Sequence, residues 1–93
     1  MKEFMICKAT DRIRLMEDCF DELQKAAKNN PAVMLEDPLL RTHLQSLTQY
    51  YESGQWLHDY ELDEQGLLPQ NLKRGILAQD AIYDFLEMIK HTD

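Results

Sequence analysis

The sequence predicts an all-α fold: a small bundle of about four helices, two longer N-terminal ones followed by a short acidic helix and a C-terminal helix. Three observations carry this. Apolar residues recur at steps of three and four through most of the chain. Helix boundaries are marked by Asp37-Pro38, Gly54 and Gly66. No run alternates with period two for long enough to demand a strand. At 93 residues, with 44% apolar and 29% charged side chains and only three Gly and three Pro, the chain suits one folded domain, residues 1–93, with a modest core.

The first helix is expected over about residues 10–28, where Cys7, Ile13, Met16, Phe20, Leu23 and Ala27 form an apolar stripe. Thr10 is positioned to cap it, Asp11 favours its positive end, and Lys25 and Lys28 suit its negative end. Asp21 and Lys25 form an i,i+4 pair on the wet face. Asn29, Asn30 and Pro31 stop the helix, because Pro31 lacks a donor and biases Asn30 away from helical angles. Residues 31–36 then read as a connector with room for a short turn.

Asp37 as N-cap and Pro38 at the first helical position start a second long helix. Its stripe is Leu40, Leu44, Leu47 and Tyr51, and Gly54 stops it. Ser53 can cap a short helix over residues 55–64, with Trp56 and Tyr60 on its inner face and the acids at 59, 63 and 64 mostly outward. Gly66 ends it. Leu67-Leu68-Pro69 reads as an extended crossing, residues 71–74 as a single turn terminated by Gly75, and residues 79–90 as the final amphipathic helix.

The formal net charge is −7, which argues against nucleic-acid binding, since that needs clustered Lys and Arg. The surplus is local. Residues 1–36, 37–68 and 69–93 carry −1, −5 and −1, and between Glu52 and Glu64 there are five acids and no Lys or Arg. Such a segment is either neutralised internally or offered to a basic partner. No stretch is long enough to span a membrane, and MKEFMICKAT lacks the sustained apolar core of a signal peptide. The expectation is a cytoplasmic protein with no membrane contact. Cys7 and Cys19, on one helix, would lie about 18 Å apart, too far for a disulfide, and read as buried free thiols.

The motifs that could carry chemistry are few. Asp59, Glu61 and Asp63 alternate as in a calcium loop, but the positions needing Gly and Glu hold Glu64 and Gln70. His43, His58 and His91 are scattered without a ligand spacing, and Ser46 and Ser53 lack triad partners. No catalytic residue, metal or cofactor is expected. The candidate partner-binding residues are Tyr50, Glu52, Asp59, Glu61, Asp63 and Glu64, with Tyr50 as an aromatic anchor because it lies off the second helix's stripe. Lys73 and Arg74 are the candidate internal latch, folding back towards Asp59, Asp63 or Glu64, where Arg74 can grip a carboxylate bidentately.

Residues 50–86, YYESGQWLHDYELDEQGLLPQNLKRGILAQDAIYDFL, resemble a family of small bacterial helical proteins classified only as a domain of unknown function. Tyr50-Tyr51, Ser53, Trp56, Asp59, Glu61, Asp63-Glu64, Gly66, Leu68-Pro69, Leu72-Lys73-Arg74-Gly75, Leu77, Asp80 and Tyr83-Asp84 carry the resemblance. Arg12-Ile13 and Met16-Glu17 resemble its N-terminal helix. Ala78 departs from the pattern, which has a capping Ser there. The resemblance names no activity; it implies that the acidic run and Leu-Lys-Arg-Gly belong to one module.

The expected function is non-enzymatic binding of another protein, of basic character, through the surface of residues 52–64, as an adaptor or regulator. A narrower version is an immunity, antitoxin or inhibitor protein with a basic target. A second class is a metal-binding or enzymatic protein using carboxylates and His58. A third is a homodimer formed through the stripes of the first two helices.

Overall fold

The computed structural model describes residues 2–78 and 80–91, with side chains from Ile6 onward. Its helices are α1 (Lys2–Asn29), α2 (Pro31–Glu36), α3 (Pro38–Glu52), α4 (Gln55–Glu64) and α5 (Ala81–Lys90), with a 3-10 turn at Gly75–Leu77. The fold is an all-α bundle. At ~1.5 Å per residue α1 is about 42 Å long, which matches the 43 Å long axis of the molecule. The rest of the chain folds along that one rod.

α1 begins earlier than its expected cap. Nothing between Lys2 and Ala9 breaks a helix, so Thr10 lies inside it, its Oγ1 donating to the Ile6 carbonyl at 2.8 Å. The buried stripe is Ala9, Ile13, Met16, Phe20, Leu23 and Ala27. Cys7 is exposed, whereas Cys19 is buried. The reason is angular: six residues from Cys7 to Ile13 leave Cys7 roughly 120° off the stripe, while Ala9, four residues away, falls about 40° from it.

Residues 31–36 are a helix rather than a connector. Asn30 both ends α1 and caps α2, its Oδ1 accepting from Ala32 N at 3.0 Å and Val33 N at 3.3 Å, with Pro31 at the first position. Asp37-Pro38 repeats the device, Asp37 Oδ1 accepting from Leu39 N and Leu40 N. α2 thus reverses the chain so that α3 packs along α1, and Met34 seals the corner at 2% exposure. The α1 stripe is buried here within one chain, against Leu47 and Tyr50 of α3 and the segments after α4.

Gly66 closes α4 in a left-handed conformation, φ +71°. Gly66 N donates to Asp63 O and Leu67 N to Leu62 O, the paired bonds of a Schellman cap. The chain then returns through buried Leu68 and Leu72 to the 3-10 turn, whose Ile76 and Leu77 enter the core. Gly75 starts this turn rather than ending one. α5 is described from Ala81, and Asp80 supplies no side-chain cap; the expected first residue of that helix, Gln79, lies outside the described residues. Phe85 packs edge-on against Phe20, ring centroids 5.4 Å apart.

Candidate functional site

α4 carries most of the acidic run, and its three inward positions are Trp56, Asp59 and Leu62. Trp56 is fixed on three sides. Its ring stacks on Tyr60 at 5.2 Å and meets Tyr51 at 5.4 Å, and its Nε1 donates to the Ile76 carbonyl at 2.9 Å. That bond ties α4 to the 3-10 turn.

Asp59 is the second tie, and it corrects the expectation that it faces water. Its side chain is fully buried. Arg12 of α1 grips it bidentately: Nε donates to Oδ2 at 2.9 Å and Nη2 donates to Oδ1. Tyr50 of α3 donates its hydroxyl to Oδ2 at 2.7 Å. One carboxylate therefore joins three helices. Bidentate, charge-assisted geometry is what makes a buried ion pair tolerable. Bonding to Asp59, above all, raises the Arg12 pKa further, and burial, with the Asp59 bond second, pushes the Tyr50 phenol well up.

Tyr50 is thus 2% exposed and spent on this network, which corrects its assignment as a surface anchor. Its ring lies off the Leu44–Tyr51 line because α3 buries a broad face, with Tyr50 turned towards α1 and α4. His58 Nδ1 is 3.6 Å from Asp59 Oδ1 and half exposed. Among the described residues no group of three or more His, Cys, Asp or Glu is arranged to hold a metal.

A second buried acid escaped the sequence reading. Glu17 is 4% exposed, and its Oε2 accepts from Ile76 N at 2.8 Å. Its other oxygen, Oε1, lies 2.9 Å from where a Cβ on residue 75 would stand. Gly75 is needed for that close approach. The signal was present: Glu17 sits inside the apolar stripe, four residues after Ile13 and three before Phe20, while Arg12 flanks it four residues before Met16.

The basic pair divides. Arg74 Nε is 3.0 Å from Asp63 Oδ1, an ion-pair distance off the line of a hydrogen bond. Its Nη2 donates to the Pro69 carbonyl at 2.8 Å, so Arg74 also braces the loop leading to it. Lys73 turns instead to Asp21 of α1, at 2.5 Å, displacing the expected Asp21–Lys25 pair. Neither reaches Asp59 or Glu64.

Three of the six candidate residues stay on the surface: Glu52, Glu61 and Glu64. None of the described cations lies within ion-pair distance of them. Glu64 interacts with the Tyr60 hydroxyl, a bond that raises the phenol's pKa. Leu57 is 51% exposed and shares a helix face with Glu61 and Glu64, at i+4 and i+7. A Cys19 Sγ to His43 Nδ1 contact of 3.5 Å was likewise invisible in the spacing. Burial raises the thiol pKa there, which opposes thiolate chemistry.

Fold and site together define a small all-α protein closed by a buried Arg–Asp–Tyr network, with an acidic helix face left outside. The model of a family described as Domain of unknown function (DUF4298) matches residues 13–92, and the chain belongs to that family. No curated protein and no solved structure matches it. Among the described residues no helix is long and apolar enough to cross a membrane.

Proposed function

We propose that the protein is a non-enzymatic binding module of the cytoplasm that engages a basic partner protein through the outer face of α4. The observation that carries this is the sorting of the acids. Asp59 is consumed by the core and Asp63 is matched by Arg74, yet Glu61, Glu64 and nearby Glu52 remain exposed, with no cation among the described residues in ion-pair distance. Exposed Leu57 on the same face adds an apolar contact to the charge. Such a patch steers a basic partner and fixes register more than it supplies raw affinity.

The test is capture of partners from the native cell by wild type and by Glu61→Lys/Glu64→Lys, followed by titration of the captured protein at several salt concentrations. Charge reversal at Asp59 is unsuitable, because it would unfold the network. The proposal expects affinity to fall with salt and with the double reversal while the fold persists. Affinity indifferent to both would end it.

A further inference from the structure

A concave surface elsewhere on the molecule carries the opposite charge balance. A groove of about 710 Å³ lies between the C-terminal half of α1 and α5, lined by Asp21, Gln24, Lys25, Ala27, Lys28, Lys73, Phe85 and Met88. Its apolar wall is the exposed edges of Ala27 and Phe85, themselves mostly buried, and Met88, which is 45% exposed; Phe85 packs on Phe20 beneath. Its charged rim is three lysines and one aspartate. Because Lys73 takes Asp21, no described acid lies within ion-pair distance of Lys25 or Lys28.

In a chain of net charge −7, a groove with two uncompensated lysines beside an apolar wall stands apart from a solvated face, which would carry the chain's acid excess. We propose that this groove docks an acidic segment of a partner protein, with carboxylates on Lys25 and Lys28 and an apolar side chain laid against Phe85 and Met88. The recognition mode is an amphipathic segment in a groove, its anchors spaced along one face. The complementary signs suppress basic competitors and supply the on-rate. The inference rests on the α1–α5 groove alone and is independent of the acidic face of α4. If both hold, the protein has two docking surfaces of opposite sign, which is what an adaptor requires.

The experiment uses the intact protein, isotope-labelled, and a synthetic helical peptide with Glu and Leu on alternate faces, titrated by NMR. Its Lys counterpart and dodecanoate are titrated in parallel. Expected are saturable shifts at residues 21–28, 73 and 85–88 with the Glu peptide, weakening as salt shortens the Debye length from about 10 Å at 0.1 M. Lys25→Glu/Lys28→Glu, both exposed, lowers affinity by roughly tenfold or more. Tyr83→Glu, in the separate cleft between α3 and α5, leaves it unchanged. Absence of saturable binding by the Glu peptide overturns the proposal. So does equal binding of the Lys peptide, an unaffected Lys25→Glu/Lys28→Glu variant, or loss in Tyr83→Glu. Binding of dodecanoate in preference to the peptide overturns it in favour of a small-amphiphile site. Shifts that follow protein concentration without peptide overturn it in favour of self-association.

Discussion

Asp59→Ala removes the acceptor shared by Arg12 and Tyr50. Breaking a buried ion pair by deleting one partner typically costs ~3–5 kcal/mol, because the other charge is left stranded. Arg12 retains 25% of its side-chain exposure, so water can reach the guanidinium, and the lower end applies: about 3 kcal/mol. The Tyr50 hydroxyl, almost fully buried, loses its acceptor as well, a penalty of about 1–3 kcal/mol that overlaps the first. A total of about 3–4 kcal/mol is a large fraction of the ~5–14 kcal/mol expected for a domain of this length. At about 4–8 °C per kcal/mol the Tm should fall by roughly 12–30 °C. Urea unfolding followed by far-ultraviolet circular dichroism measures it, with an unchanged m-value showing that both states keep their compactness. The double variant Arg12→Met/Asp59→Leu, which strands no charge, should recover much of the loss. If Asp59→Ala stayed within about 1 kcal/mol of wild type, the network would not hold the helices together, and Asp59 would have to be reconsidered as a functional acid.

Gly75→Ala places a Cβ 2.9 Å from the buried Glu17 carboxylate and should cost about 1–3 kcal/mol by urea unfolding, chiefly by breaking the Glu17 bond to Ile76 N. In a Glu17→Ala background the same substitution should be nearly neutral; an undiminished cost would point to backbone strain instead. The Tyr50 pKa is raised on folding, so the unfolded chain releases that proton first, and stability, intact below about pH 10, falls as pH rises beyond it. Tyr50→Phe should flatten that alkaline slope, and a slope unchanged by the substitution would reject Tyr50 as its source. Glu61→Lys/Glu64→Lys should move stability by no more than about 0.5 kcal/mol, as exposed sites do; unfolding of this variant would mean the α4 face is structural.

Much of the fold was legible because it is written in local signals. The Asp37-Pro38 start predicts α3, and Gly66 predicts the end of α4. Asn30-Pro31 carries the same cap-and-proline signal as Asp37-Pro38, but read only as a stop it concealed α2. Thr10 shows the converse: a residue able to cap does so only where something breaks the helix before it. The site was harder to read because its ties are distant. Arg12 and Asp59 are 47 residues apart, and Glu17 and Ile76 are 59 apart. Local periodicity cannot say which acid of a run is paired across that distance. It could say that Glu17 interrupts an apolar stripe, and a charge in a stripe is the mark of a buried partner.

The division of labour among the acids follows from that geometry. A carboxylate on α4 either faces the core and finds a fixed donor, as Asp59 does, or sits at the edge and meets a loop cation, as Asp63 does with Arg74. Glu61 and Glu64 lie on neither line, so matching them would need cations from elsewhere on the surface. Lys25 and Lys28 line the groove between α1 and α5, and neither lies within ion-pair distance of a described acid. Asp21, Asp59 and Asp63 are neutralised within the chain, whereas among the described residues Glu61, Glu64, Lys25 and Lys28 are not paired with an opposite charge. Under the binding proposals, a disruption of the Arg12–Asp59–Tyr50 network should weaken contact at both faces at once through loss of fold, whereas substitutions at Glu61 or Lys25 should affect one face and leave the other intact.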